Sequence, residues 1–563
     1  MDRQYFHPEA CKTTPTGPRK RRTKAQLELD KVQSNARGNS SASSSTPSPD
    51  ANSPGSSLVE TSKGKLSILS HNLAEPGLDL PPSLVKELLQ DFRMFPYFRH
   101  PLIRFVDLES SLNRCSWQLP ALPSQHRVLA QCIIAVTARI SLNEHIIGPG
   151  QQAPPDFSAR DLEIRTTFLN CREYGHRREA ICEQLRAEAV WVAHREGIMT
   201  MACVSNTLSL ALLEFLEHRA SGKGGSTYSA AYIHHLRDLS ESNFYVDPGS
   251  QTKYSAFLMV DALSAVTTGK SIPFTRHDEL LLCGEEPLPL EEVFSILTSN
   301  SPTPVPVFTV MRPLSLQTIR LARDISESLT GAYARRHPLN EAKLVYQLNT
   351  LNLLHSIVSI GVRQMERLEN SASDQQLFHW ARMCAYPLLH GWASLVYLIF
   401  EELKRRRQLF RVGGSSLSVV EEDGVPPNEG MESILQARLD MFYVQVRAMT
   451  SQAALEIAGS IKEVPMLSNL THLNYSNLNN WARFLLEDAD ADLNLTQRVW
   501  GLQRLRGGLN LTGFSWVDRT GTIDAVDAFL VASTASAMQQ QQQQLDVTSG
   551  SGSLIWAPSH RYQ

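Results

Sequence analysis

Apolar residues recur three and four positions apart along most of this 563-residue chain, and this spacing is the feature that most constrains its fold. The repeat places apolar side chains on one face of an α-helix, because a helix turns once in about 3.6 residues. Proline and serine precede two of the repeats, at residues 81–83 and 123–124, as is typical of helix starts. The alternation typical of a half-buried strand is scarce. The sequence therefore predicts an all-α fold with many helices.

The clearest helical faces are those of Val85, Leu88, Leu89 and Phe92; Leu129, Cys132, Ile133, Val136 and Ile140; Ile181, Leu185, Ala189 and Val192; Leu208, Ala211, Leu212 and Phe215; Leu344, Leu348, Leu351 and Val358; and Leu435, Leu439, Phe442, Val446 and Met449. A long apolar stretch at 377–403 predicts a further helix, which Pro387 should kink by removing a backbone donor. Trp481 begins a stretch of bulky apolar and acidic residues that suits either an activation segment or an amphipathic helix packed on the body. We favour packing.

The chain divides by composition into three parts. Residues 34–62 are rich in serine, asparagine and proline and nearly lack large apolar residues, so we expect 1–65 to be a disordered arm. A helical body should occupy 66–535, with a surface loop at 413–430. A run of six glutamines leads into a Ser/Gly-rich terminus, and we expect 536–563 to be a disordered tail.

A basic run at residues 18–24 makes the N-terminal arm positive. The first 37 residues hold nine Lys/Arg and four Asp/Glu, a net charge of +5, which leaves −8 on the rest because the whole chain carries −3. Such a run suits an acidic nuclear import receptor or the phosphate backbone of DNA. The residues predicted to make these contacts are Arg19, Lys20, Arg21, Arg22 and Lys24.

Cysteine spacing and hydropathy exclude several classes of protein. The eight cysteines are scattered, and no pair has the C-x-x-C spacing of a zinc ribbon or a redox dithiol. No run of about 18 apolar residues is present, so we expect no membrane span. The first 60 residues lack the apolar core of a signal peptide, and we expect an intracellular protein without a metal or other cofactor.

Three motifs suggest chemistry, and each fails on its spacing. Thr268-Gly269-Lys270-Ser271 resembles the end of a phosphate-binding loop, but Ser264 stands where that loop needs glycine. The aspartates 488, 490 and 492 alternate as in a calcium loop, but the glycine and the glutamate of that loop are missing. The histidines 234 and 235 are adjacent, whereas a helical metal pair is four residues apart. We therefore predict that the chain is not an enzyme.

Several segments in order carry a family resemblance. They are Leu88-Leu89-x-x-Phe92 with Pro96-Tyr97-Phe98 and His100-Pro101-Leu102; residues 127–140; Ala187-x-x-Val190 through Ala211-Leu212-Leu213; Tyr228-x-Ala230-Ala231 with Leu236-x-x-Leu239; and Asp261-x-Leu263-Ser264 with Thr268-Gly269-Lys270-Ser271-Ile272-Pro273 and Asp278. Together they resemble the fungal-specific transcription factor domain, the regulatory middle region of fungal zinc-cluster (Zn2Cys6) proteins. The resemblance covers residues 80–300, with vaguer similarity to about 535.

The chain departs from that family in two ways. Lys270 replaces the usual arginine of the Gly-Arg-Pro segment, and Ser271-Ile272 precede the proline. The family's DNA-binding module needs six closely spaced cysteines to hold two zinc ions, whereas Cys11 alone lies near the N-terminus. Cys11 and the basic run are then either the remnant of a zinc cluster, with Cys11 a former zinc ligand, or part of a member that lacks the cluster.

The resemblance implies a nuclear transcription regulator, in which 66–535 is the regulatory domain. Its expected partners are DNA, contacted weakly or through a missing module, an import receptor, the transcription machinery and a small-molecule effector. The alternatives are a metal-dependent helical enzyme of the isoprenoid type, suggested by the acidic residues at 487–492, and a helical scaffold without DNA contact. Aromatic residues on predicted helices are candidates for an effector site, with ordinary core packing as the alternative for each: Trp191, Tyr232, Trp380 and Trp392.

Overall fold

The computed structural model describes residues 79–150, 171–221, 227–241, 247–299, 307–369, 375–412, 429–461 and 475–550. Within these ranges it contains 17 α-helices and no strand, which confirms the all-α prediction. The described residues all belong to one compact unit.

The helices are numbered here in chain order. They are α1 Pro82–Asp91, α2 Leu108–Arg114, α3 Ser124–Thr137, α4 Glu144–Ile147, α5 Cys171–Arg195, α6 Val204–Ser221, α7 Thr227–Glu241, α8 Pro248–Thr267, α9 Arg276–Cys283, α10 Leu290–Thr298, α11 Val307–Ile325, α12 Glu341–Glu369, α13 Gln375–Val412, α14 Glu429–Ser460, α15 Tyr475–Glu487, α16 Leu495–Thr512 and α17 Thr522–Gly550.

The apolar faces predicted from the sequence are the buried faces of α-helices in the structure. On α1, for example, Val85 and Leu88 are fully buried, and Cys132 is buried on α3. Trp481 and Phe484 of α15 are buried in the core, so this segment packs on the body as favoured. One residue of the predicted pattern differs, since Leu435 at the start of α14 is exposed.

A single apolar core joins the helices, from Leu84 on α1 to Val526 on α17. The long helix α13 contacts α8, α11, α12 and α14, and α3 packs against α1, α5 and α6. Helix α16 packs against α14, α15, α17 and α5. Helix α16 therefore joins the C-terminal helices to α5, which begins more than 300 residues earlier in the sequence.

The boundary predicted at residue 535 does not coincide with a helix end. Helix α17 continues through the glutamine run to Gly550, and its side chains from 534 to 543 are exposed. Glutamine and alanine are good helix formers, and no proline or glycine interrupts 522–548, so the helix extends past the core. Residues 1–78, most of the predicted loop at 413–430, and 551–563 lie outside the described residues.

Candidate ligand-binding cavity

A cavity of about 530 Å³ lies between α6, α7, α8 and α13, beside the 3-10 turn Pro96–Arg99. Small-molecule sites commonly measure about 300–1,000 Å³. Helix bundles form such sites between facing helices, where side chains of different size leave a gap. The space therefore has the size and the position of a ligand site.

Connected aromatic rings line part of this cavity. Phe215 of α6 lies edge-on to Phe95, with ring centroids 5.2 Å apart, and Phe257 of α8 lies 5.3 Å from Tyr97. The turn that begins at Pro96, where proline fixes the backbone dihedral φ, also places the rings of Phe95 and Tyr97 near each other, with centroids 5.9 Å apart. The rings offer an apolar surface whose faces carry partial negative charge.

Acidic side chains line the same cavity from two helices, Asp261 on α8 and Glu214 on α6. Burial, and then the nearby charge of Glu214, raise the pKa of Asp261 to about 8. The side chain keeps some accessible surface because it borders the cavity. Among the described residues, no hydrogen-bond donor or cation pairs with its carboxyl group. Asp261 is thus a polar group that lies beside an open space and has no partner in the described part of the chain.

Helix α13 lines the cavity with residues between 386 and 394. Pro387 lies inside this helix and cannot supply the N–H that would bond to the carbonyl of residue 383. A Cβ atom at Gly391 would lie 3.1 Å from Cδ1 of Leu263, so glycine allows α13 to approach α8 closely. Burial lowers the pKa of His390 to about 3, and its Nε2 has no hydrogen-bond partner within the described part of the chain.

The segment Thr268-Gly269-Lys270-Ser271 ends α8 and begins no helix. Gly269 has φ +72°, its N–H donates to the carbonyl of Val266 at 3.1 Å, and the N–H of Lys270 donates to Ala265 at 2.9 Å. This is the Schellman arrangement of a helix C-terminus. A phosphate loop needs the N–H groups of a helix start, so the structure agrees with the rejection of nucleotide binding here. Lys270 and Ser271 instead border the cavity.

Trp191 and Trp392, two of the residues predicted for an effector site, do not line this cavity. Trp191 is half-buried on α5, and the guanidinium of Arg195 lies 4.3 Å from its ring centre. Trp392 is buried on α13 and stacks on His355, with centroids 4.1 Å apart. Core packing explains both, because large aromatic side chains gain most from burial.

Tyr232 is also buried outside the cavity wall. It lies on α7, and its hydroxyl group is 2.8 Å from Nε2 of His100. Tyr232 is not among the residues that line the cavity. Burial, and then the nearby charge of Asp261, raise the pKa of Tyr232. The side chain of Trp380 lies outside the described residues.

Two of the three aspartates of the calcium-like segment are used in ion pairs. Asp488 lies 2.6 Å from Nζ of Lys404, and Asp492 lies 2.7 Å from Nε of Arg447. Each pair joins the segment after α15 to a different helix. No group of three or more potential metal ligands occurs within the residues that the structure describes.

The adjacent histidines have separate structural roles. His234 is exposed and its Nδ1 lies 3.3 Å from Asp238. His235 is buried, with its Nε2 3.2 Å from the carbonyl of Met199. They face different surroundings, as expected for neighbours on a helix.

The residues of the basic arm lie outside the described part of the chain, as does Cys11. Arg19, Lys20, Arg21, Arg22 and Lys24 therefore stay predictions as contacts to nucleic acid or to an import receptor.

Asp261 is the site residue that sequence reasoning missed. It belongs to a segment that carries the family resemblance, and that resemblance does not single it out as a ligand contact. Its signal is a lone acidic residue within the apolar run 256–266 of a predicted helix. A charged residue there is rarely buried without a partner, which marks it for attention.

None of the helices among the described residues is long and apolar enough to cross a membrane. The chain matches no model of a known protein family, no curated protein and no solved structure.

Proposed function

We propose that this chain is a nuclear transcription regulator of the fungal zinc-cluster type, whose helical body binds a small effector in the cavity between α6, α7, α8 and α13. The basic arm would serve nuclear import and contact DNA through phosphates. Effector binding would then change how the body meets the transcription machinery.

One observation carries the effector part of this proposal. Three of the five segments on which the family resemblance rests supply residues to the cavity wall. These residues are Pro96 and Tyr97; Ala230; Asp261, Leu263 and Ser264; and Lys270, Ser271 and Pro273. Segments that are far apart in sequence therefore share a surface around an open space, which favours a common role in binding.

The alternatives receive less support. The metal-dependent enzyme was suggested by the acidic segment, and Asp488 and Asp492 there face Lys404 and Arg447. A passive scaffold would not need a cavity that holds a buried carboxyl without a partner, because such a group destabilises the fold.

A thermal-shift screen of metabolites on the full chain tests effector binding. A compound at 100 times its dissociation constant should stabilise the protein by about 2.7 kcal/mol. Ala230→Phe should abolish the shift, because Ala230 is exposed at the cavity and a phenyl ring would occupy the space. Ala448→Phe on α14 is the matched control, since Ala448 is exposed away from the cavity.

A reporter assay tests the regulatory part. The full chain is fused to a foreign DNA-binding domain, and the reporter should respond to compounds that shift the melting temperature. Ala230→Phe should remove the response and Ala448→Phe should keep it. A reporter that never responds to the fusion would exclude transcriptional regulation, and a screen without any hit would favour the scaffold.

A further inference from the structure

We infer that the cavity binds an organic cation, a protonated amine on an apolar or aromatic body, with Asp261 as its counter-charge. This inference rests on the proposed function, because it names the class of effector for the same cavity. It comes from the placement of one carboxyl group, a second acidic side chain and a set of aromatic rings.

The carboxyl group is the first step. Asp261 borders the cavity from α8, and among the described residues no donor or cation satisfies it. A buried carboxyl is stabilised by a positive charge that also donates hydrogen bonds. An ammonium group has both properties. Glu214 on α6 lines the same space and is close enough to Asp261 to contribute to its raised pKa.

The aromatic rings are the second step. Phe215 and Phe257, which come from the helices of the two acidic residues, border the same space together with Tyr97. The face of an aromatic ring attracts a cation, and the attraction increases when water is excluded. The same rings would pack against the apolar part of the ligand. An amine on an apolar body uses both features at once.

Other ligand classes fit less well. An anion would enter a space bordered by two acidic side chains, where Lys270 is the one lysine or arginine among the lining residues that the structure describes. Lys270 already has an interaction of its own. A neutral apolar molecule would cover Asp261 without satisfying its carboxyl group.

Protonation gives the inference a measurable consequence. Titratable groups that border the cavity or face Asp261 come from every neighbouring element: Tyr97 in the turn after α1, Glu214 and His218 on α6, Tyr232 on α7, Lys270 after α8, and Tyr386 and His390 on α13. With a pKa of about 8, Asp261 is mostly protonated at neutral pH in the free protein. A bound ammonium group favours the carboxylate, so binding should release a proton and tighten as pH rises towards 8.

The experiment uses three small probes that differ in charge: 2-phenylethylammonium, 2-phenylethanol and 3-phenylpropanoate. Each is titrated calorimetrically into the full chain. We expect the amine to bind at least about tenfold more tightly than the alcohol, and the anion to bind most weakly. The affinity of the amine should rise about tenfold from pH 6 to 7. Titrations in buffers of different ionisation enthalpy should show the release of about one proton per bound amine.

Asp261→Asn should remove the preference for the amine and the proton release while leaving the binding of the alcohol. Asp524→Asn on α17 is the control, because it removes an exposed carboxylate from a helix that does not line the cavity. Circular dichroism checks that both variants fold. If Asp261→Asn did not fold, the pH dependence and the three-probe ranking of the wild-type chain would still decide the question.

The outcomes separate this inference from the proposed function. Binding of the alcohol or the anion as tight as that of the amine would overturn the cation class and would leave an effector cavity in place. Failure of all three probes at about 10 mM would also overturn it, and the metabolite screen would then judge the cavity separately. An amine that binds with no change in proton release, and equally to Asp261→Asn, would show that Asp261 is not its partner.

Discussion

At the scale of single residues, His100 is held in one tautomer inside the body. Its Nδ1 accepts a hydrogen bond from the N–H of Leu102 at 3.2 Å. Burial lowers the pKa of His100 to about 3, so the ring is neutral and its Nε2 carries the proton. That N–H donates to the hydroxyl oxygen of Tyr232 at 2.8 Å. One hydrogen bond therefore connects the turn Pro101–Phe105 to α7.

Tyr232→Phe tests this connection. The change removes the acceptor and leaves the Nε2–H of His100 buried without a partner, so the free energy of unfolding should fall by about 1–3 kcal/mol. Chemical denaturation of the full chain measures it. Tyr333→Phe is the control, because Tyr333 is 73% exposed and should change stability by less than about 0.5 kcal/mol. Equal stability of the two variants would contradict the hydrogen bond.

Asp261 gives a second prediction, on the ligand-free protein. Its pKa is raised from 3.8 to about 8, so the folded state binds one more proton than the unfolded state between these values. The wild-type chain should therefore lose stability as pH rises through this window, by up to about 1.4 kcal/mol per pH unit. Asp261→Asn cannot ionise and should become more stable than wild type as pH rises from 5 to about 8.

Denaturation curves of the two proteins across this pH range measure the difference. The wild-type chain and Asp261→Asn share every other titratable group. The pH dependence of the difference between their free energies of unfolding therefore comes from residue 261. Asp524→Asn on α17, whose exposed carboxylate pairs with Arg172, should give a constant difference from wild type. A constant difference for Asp261→Asn as well would mean that the carboxyl group is solvated.

At the scale of elements, helix positions could be predicted and their mutual packing could not. The faces of α1 and α3 follow from local spacing, because an apolar stripe with helical period must be buried against something. The spacing does not say which helix covers it. The cavity depends on the meeting of α6 and α8 with α13, which begins more than 100 residues after α8 ends. For the same reason Trp392 could be predicted as helical but not placed in the core or at the cavity.

Helix α9 offers a test at this scale. The side chain of Thr275 accepts from the N–H of Asp278, and the Asp278 carboxylate accepts from the N–H of Thr275 at 2.6 Å, which forms a capping box. Arg237 of α7 holds the same carboxylate through two bonds of 2.5 and 2.7 Å. Although burial opposes it, the bonds from Arg237 and Thr275 lower the pKa of Asp278 to about 2.

Thr275→Ala should reduce the free energy of unfolding by about 1 kcal/mol, as loss of a helix cap does. Asp278→Asn should reduce it by more, about 2–4 kcal/mol, because it also weakens the pair with Arg237 at a buried carboxylate. Thermal denaturation ranks the two variants. The reverse ranking would show that the cap, and not the link to α7, holds α9 in place.

At the scale of the whole molecule, charge is distributed unequally. The first 37 residues carry +5 and the remainder carries −8. Many cations of the body are already paired within it, as Arg323 is with Glu279. The basic run is therefore the part of the chain best suited to meet acidic partners.

Nuclear import is the first consequence. Replacing Arg19, Lys20, Arg21 and Arg22 with alanine should leave a fluorescently tagged chain in the cytoplasm, because an import receptor recognises clustered basic residues. Fluorescence microscopy measures the nuclear fraction. The control removes four exposed arginines from the body, Arg93, Arg276, Arg483 and Arg519, and should stay nuclear. An unchanged nuclear fraction in the first variant would contradict the prediction.

DNA binding is the second consequence of the charge distribution. Basic residues on an arm release counterions from phosphates and read no base edges, so the chain should bind DNA weakly and without sequence preference. With about six phosphate contacts, affinity should fall about a thousandfold between 50 and 200 mM salt. Fluorescence anisotropy with duplexes of unrelated sequence measures both properties. Alanine at 19–22 should reduce the slope of log affinity against log salt by about 3 to 4, since each lost contact removes about 0.9. A salt-tolerant complex with one duplex sequence would show instead that the body itself reads DNA.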